Sequence, residues 1–168
     1  MRIFLVGYMG CGKSTVAKKL GKKMNLQVVD LDAEIVKEVD KTIPEIFKTV
    51  GEEGFRRLER KVLRKWLDKD NYVLATGGGA PCFFESMDEM NAAGTAVYLK
   101  MSPKALVDRI LSSPDERPLL KGLSPEKMLE KVDKQLEKRE KFYGKAEVIA
   151  NGFNIDIEEL AALLSHSK

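Results

Sequence analysis

The chain has 168 residues, 43% of them hydrophobic and 33% charged, enough for one sizeable core and too few for two independent domains of ordinary size. Lys and Arg total 29 against 26 Asp and Glu, so no general field for polyanions exists, nucleic acid is not an expected partner, and anion chemistry must rest on local arginines. No apolar run reaches the roughly 18 residues of a membrane span, and two cysteines with a single late histidine, His166, exclude a disulfide framework and a Cys/His metal centre.

The run Ile3-Phe4-Leu5-Val6 reads as a first strand, and it passes directly into glycines rather than into a signal-peptide cleavage site, the pattern of a cytoplasmic protein. Gly7-Tyr8-Met9-Gly10-Cys11-Gly12-Lys13-Ser14 fits G-x-x-x-x-G-K-[ST], with the strand before it and a helix, Ser14 to Met24, after it. In such a loop the glycines let backbone N–H groups turn inward to phosphate oxygens at the positive end of a helix. Gly10, Cys11, Gly12, Lys13, Ser14 and Thr15 are therefore expected to bind ATP. Lys13 is assigned to the β- and γ-phosphates and the Ser14 hydroxyl to Mg²⁺. The glycine spacing does not form G-x-G-x-x-G, which excludes a dinucleotide site. Cys11 is either a thiol activated by the helix start and Lys13 or simply a small residue in the loop.

A second strand, Gln27-Val28-Val29, is followed by Asp30-Leu31-Asp32. Ligands of open parallel sheets bind beyond the carboxyl ends of strands, so both carboxylates are candidates: Asp30 near the Mg²⁺ shell, Asp32 orienting a substrate hydroxyl and taking its proton. The alternative for either is to cap the helix that begins near Leu31. Residues 31–70 hold two or three helices where one crossover would suffice, the mark of an inserted substrate-binding cap. Its last helix, Gly51 to Lys69, presents Phe55, Leu58, Val62 and Trp66 as a core face, with Arg56 and Glu59 sharing a flank. That pair is either an ordinary surface contact or a device in which Glu59 aims Arg56 at an anion.

Tyr72-Val73-Leu74-Ala75 forms a third strand, and after Thr76 the triple glycine Gly77-Gly78-Gly79 offers close backbone approach to a polar ligand or a plain tight turn. Ala96-Val97-Tyr98-Leu99 and Glu147-Val148-Ile149 supply the last two strands. Between them, Ser112 to Ser124 contains Pro114, Pro118 and Gly122 and reads as a lid, residues 112–124, with Arg117 either closing over phosphates or solvated. On the helix from Ser124, Leu129, Val132, Leu136 and Tyr143 make an inward stripe that includes Arg139. A buried guanidinium needs a partner, either a protein carboxylate or the carboxylate of a bound substrate. Short apolar strands alternating with helices give an α/β class, a three-layer sandwich around a five-stranded parallel sheet with its strands buried on both faces, in one domain spanning 1–168.

Taken together, GYMGCGKST, the pair DLD, Gly51-Glu52-Glu53-Gly54-Phe55-Arg56-Arg57-Leu58-Glu59, GGGA, Arg117-Pro118-Leu119-Leu120, and Arg139 before Tyr143 resemble the shikimate kinases, P-loop kinases of nucleoside-monophosphate-kinase-like fold. The resemblance spans nearly the whole chain. It implies ATP- and Mg²⁺-dependent phosphorylation of the 3-hydroxyl of shikimate, in the pathway to chorismate and the aromatic amino acids. Carried over by position, it implies that Asp32, Arg56, Gly78, Gly79 and Arg139 bind shikimate, Arg56 and Arg139 through its carboxylate. Lys13, Ser14 and Arg117 would serve ATP and Mg²⁺, Lys13, Asp32 and Arg117 would form the catalytic set, and Arg109 would lie near adenine. Phe47 and Phe55 would wall the sugar-like ring. Asn151-Gly152-Phe153-Asn154 departs from the basic or proline-containing loop that the family often carries after the last strand. The alternative is a related P-loop kinase for gluconate or a nucleotide, acting, like the first, as a monomer on small molecules. A switch-type nucleotide-binding protein is disfavoured by the lack of an N-K-x-D motif.

Overall fold

The apolar runs fold as five parallel strands in the order β2-β3-β1-β4-β5. The computed structural model describes residues 1–113 and 120–166. The strands are β1 (Arg2–Val6), β2 (Gln27–Asp30), β3 (Tyr72–Ala75), β4 (Thr95–Lys100) and β5 (Val148–Asn151). The helices are α1 (Lys13–Met24), α2 (Leu31–Val39), α3 (Ile43–Leu67), α4 (Ser86–Ala93), α5 (Pro103–Ser112), α6 (Pro125–Tyr143) and α7 (Ile157–His166), with a short 3₁₀ turn at Ala80–Cys82. Helices on both faces of the sheet complete the expected three-layer α/β sandwich.

Burial on both faces holds for the three central strands: Phe4, Leu5, Val73, Leu74, Val97 and Leu99 are wholly enclosed. The edge strands depart from it. In β2 only Val29 is buried and β5 alternates between half-buried and exposed residues, because an edge strand lacks a neighbour and is covered by helices on one side only.

Two helices also differ from the sequence pattern. The expected helix at Gly51 is the second half of α3, which starts at Ile43 under a capping box made by Thr42 and Glu45 and bends at Gly51, where φ is 67° and ψ is −174°. The inward stripe of α6 is turned by one position: Met128, Val132, Leu136 and Tyr143 are buried, while Leu129 is 38% exposed. Spacings of four, then four, then seven put Met128 on the row that meets the sheet and leave Leu129 on its flank. Of the lid expected at 112–124, residues 114–119, Arg117 among them, lie outside the described residues.

The order β2-β3-β1 sets the position of everything that follows. The segments after β1, β2 and β3 are the phosphate loop, the Asp30–Asp32 pair and the triple glycine, and they leave the carboxyl ends of three adjacent strands.

Candidate active site

Between β1 and α1 the chain turns through Gly7, Gly10 and Gly12, all at positive φ. At Gly7 (φ 145°) a Cβ would also stand 2.8 Å from Cys11 Sγ and 3.0 Å from Leu99 O, so both conformation and space demand glycine. Gly12 (φ 97°) precedes α1 without a side-chain cap, and no acidic residue occupies the first turn. By contrast, α2, α3, α5 and α6 begin under Asp30, Thr42, Ser102 and Ser124, whose side chains accept from the first-turn amides. The open amides of α1 thus face the loop as free donors, the condition for holding phosphate. Lys13 is nearly buried, its Nζ donating to Gly7 O (2.7 Å) and Tyr8 O (3.1 Å). Cys11 is 1% exposed among core residues, with its Sγ 3.8 Å from Lys13 Nζ.

Asp30 fills the capping role that the sequence allowed and stands beside Ser14. Its carboxylate caps α2 by accepting from Asp32 N (3.0 Å) and Ala33 N (3.3 Å), and its other oxygen accepts from the Ser14 hydroxyl at 3.5 Å. The Asp32 carboxylate takes no part in the cap. Its carboxylate opens onto a cavity of about 450 Å³ whose walls include Gly12, Lys13, Ser14, Thr15, Gly78 and Arg109. Enclosure by protein on its other sides raises its carboxyl above the ordinary range, the charge of Asp30 adds to this, and Lys13 and Arg56 oppose it. Arg109 ties this cavity to the stretch after β5, donating to Cys11 O (3.2 Å), Gly152 O (3.1 Å) and Phe153 O (3.3 Å). A larger hollow of about 870 Å³ along β5 and α6 is lined by neither the phosphate loop, Asp32 nor Arg109.

Facing the phosphate loop across β3, the Arg56 guanidinium donates to Glu59 Oε2 at 2.8 Å and lies over the Phe83 ring, 4.5 Å from its centre. Glu59 is 3% exposed, so the pair is no surface contact. Burial pushes its carboxyl up to about 7 against the pull of Arg56. Phe47 and Phe55, from opposite sides of the Gly51 bend, stack with ring centres 4.4 Å apart beside Arg56. Arg139, on α6, lies over the Tyr8 ring at 5.3 Å.

The triple glycine explains why these groups converge. None of the three has positive φ; their requirement is room. A Cβ on Gly77 would stand 3.1 Å from Glu59 Oε1 and 3.2 Å from Asp32 Oδ1, one on Gly78 would stand 3.3 Å from Arg139 Nη1, and one on Gly79 would strike the Arg56 guanidinium. The loop therefore admits functional side chains from α2, α3 and α6 to the end of β3.

The family model for shikimate kinase matches residues 9–165. The chain belongs to the shikimate kinase family. It is 47% identical over 149 residues to the shikimate kinase of Azobacteroides pseudotrichonymphae, an alignment covering 88% of each chain. Among solved structures, the shikimate kinase of Bacteroides thetaiotaomicron superposes with a TM-score of 0.94 at 38% identity, covering 98% of both chains. That of Acinetobacter baumannii in complex with shikimate superposes at 0.82 and 33%, covering 98% of this chain and 90% of that one.

Membership in this family makes the chain an ATP-dependent kinase acting on shikimate and leaves the gluconate or nucleotide alternative unsupported. The P-loop nucleoside-monophosphate-kinase-like fold follows with it. Among the described residues no helix is long and apolar enough to cross a membrane. Two contacts around Arg56 and Gly78 were not readable from the sequence. Phe83, packed on Arg56, and the Tyr143 hydroxyl, bonded to Gly78 O, owe their place to tertiary packing.

Proposed function

We propose that the chain transfers the γ-phosphoryl group of ATP to the 3-hydroxyl of shikimate, releasing shikimate 3-phosphate and ADP, with Asp32 at the junction of donor and acceptor. The observation that carries this reading is the position of Asp32: it lines the cavity of the phosphate loop and lies within the electrostatic reach of both Lys13 and Arg56.

On this reading the phosphate chain lies along the loop, held by the amides of α1, by Lys13 drawn from the loop carbonyls, and by Thr15. Arg109 flanks adenine, and Arg117 is assigned to the phosphates from its motif alone. Arg56 and Arg139 take the shikimate carboxylate, and Gly78 and Gly79 line the ring. As the acceptor oxygen bonds to phosphorus and the bond from phosphorus to the ADP oxygen breaks, the hydroxyl proton passes to the Asp32 carboxylate. Its raised pKa makes it a better base than an ordinary aspartate.

The Ser14 hydroxyl and the Asp30 carboxylate, 3.5 Å apart, suit a hard cation that keeps several waters and shares the phosphates, so these two would hold Mg²⁺. When bound, Mg²⁺ neutralises charge on the phosphate oxygens. Action as a monomer belongs to the same proposal, and the pathway of its substrate supports a cytoplasmic location. In a coupled assay, ADP release is expected to require both shikimate and Mg²⁺. Turnover of gluconate or a nucleoside monophosphate with inertness toward shikimate would overturn the assignment.

A further inference from the structure

We propose that Tyr143 is a positioning residue for the acceptor, its hydroxyl fixing the Gly78 carbonyl beside the Arg139 guanidinium. The proposal rests on the acceptor site described above. Tyr143 lies one helical turn beyond Arg139 on α6 and is 0% exposed. Its hydroxyl donates to Gly78 O at 2.5 Å, and the charge of Arg139 acts on it. The ring is fixed by packing on Tyr98, centre to centre 5.1 Å, and Tyr98 is itself tied to Glu140 at 2.6 Å.

The other face of Arg139 is equally constrained. The guanidinium lies over Tyr8, whose hydroxyl donates to Gln135 Oε1 (2.5 Å), one turn earlier on α6. Gly78 leaves Arg139 Nη1 just 3.3 Å from where a Cβ would be. Arg139 is thus held between a ring of the phosphate loop and the triple glycine, and the Tyr143 hydroxyl fixes the glycine side of that seat. Removing it leaves the Gly78 carbonyl without its side-chain donor and loosens the glycine loop against which a rotamer-rich arginine rests, so that the arginine must be ordered each time acceptor binds. Tyr143 reaches neither substrate; it acts through Arg139.

The test is Tyr143→Phe, which keeps the buried ring and deletes the hydroxyl. The expected result is a rise of about tenfold in KM for shikimate, the size of one hydrogen bond, with KM for ATP unchanged and the thermal midpoint lowered by no more than several degrees through the bare Gly78 carbonyl. In an Arg139→Ala background the same substitution is expected to have no further effect on shikimate KM. Calorimetric binding of shikimate in the cold gives the same comparison if the variant is heat-labile. A shikimate KM equal to the parent's overturns the proposal, as does an equal rise for ATP or full additivity with Arg139→Ala. If Arg139→Ala itself leaves shikimate KM unchanged, the acceptor site is wrongly drawn and this role falls with it. If Arg139→Ala weakens shikimate and Tyr143→Phe does not, only the positioning role falls.

Discussion

Arg56 and Glu59 meet at 2.8 Å on one flank of α3, and the second Glu59 oxygen is buried without a hydrogen-bond partner. A carboxylate in that state resists ionisation, which is why burial lifts it from 4.5 to about 7 while Arg56 pulls the other way. Arg139 also favours its charged form and Asp32 disfavours it. The unpaired oxygen lies toward Gly77, at the edge of the space assigned to the acceptor.

The sign of the resulting pH effect follows from linkage. Between 4.5 and about 7 the folded chain holds a proton on Glu59 that the unfolded chain has released, so this group's contribution to stability is present below 4.5 and is lost as pH rises through about 7. Relative to Glu59→Gln, the parent is expected to lose on the order of 1 kcal/mol or more from pH about 5 to pH about 8. Urea midpoints of both proteins at the two pH values check this; parallel curves would contradict it.

Asp32→Asn keeps the size of the side chain and removes the proton acceptor. Turnover is expected to fall by roughly 10²–10⁴-fold while KM for ATP changes little. Steady-state kinetics under saturating ATP provide the measurement, and a variant with near-parental kcat would remove Asp32 from the proton path.

Arg139→Ala deletes one grip on the acceptor carboxylate. Shikimate binding is expected to weaken by roughly 2–5 kcal/mol, as for one partner of an enclosed charge pair, with ATP binding retained. Direct titration of each ligand separates the two effects.

Gly79→Ala tests whether the triple glycine serves by leaving room. The added methyl meets the Arg56 guanidinium, the far end of a flexible chain, so the fold survives and the arginine moves. Shikimate KM is expected to rise by roughly ten- to a hundredfold, in line with the sensitivity of catalysis to small misplacements, with a nearly unchanged melting temperature. A collapse of stability with unaltered KM in the residual active enzyme would show that the site is merely a tight turn.

The donor half was legible because its chemistry is local: eight consecutive residues, bracketed by an apolar strand and a helix, carry the loop, and Asp30 and Asp32 follow directly on β2. The acceptor half is assembled from residues far apart in sequence. Periodicity placed Arg56 and Glu59 on a shared flank of α3 but could not say that the flank is buried, since Phe83 and the glycine loop that cover it come from another part of the chain. It likewise aligned Arg139 with the inner row of α6 while choosing Leu129 over Met128, because a one-residue turn of a helix about its axis depends on which neighbours it meets. Glycine has no side chain to announce what occupies the space beside it. That Gly77, Gly78 and Gly79 make way for Asp32, Glu59, Arg139 and Arg56 became visible only in three dimensions.

The strand order gives the separation of the reactants a fixed scale. β3 stands between β2 and β1, so the phosphate loop after β1 and the triple glycine after β3 leave neighbouring strands whose axes are about 4.8 Å apart, as backbone hydrogen bonding dictates, and Asp32 follows the strand one step further out. The sheet is in effect a ruler, and its graduation is the peptide unit. Side chains can tune the approach of one oxygen to one phosphorus, but the interval they work across is set by the ladder between β1 and β3, from Arg2 opposite Tyr72 to Leu5 opposite Ala75.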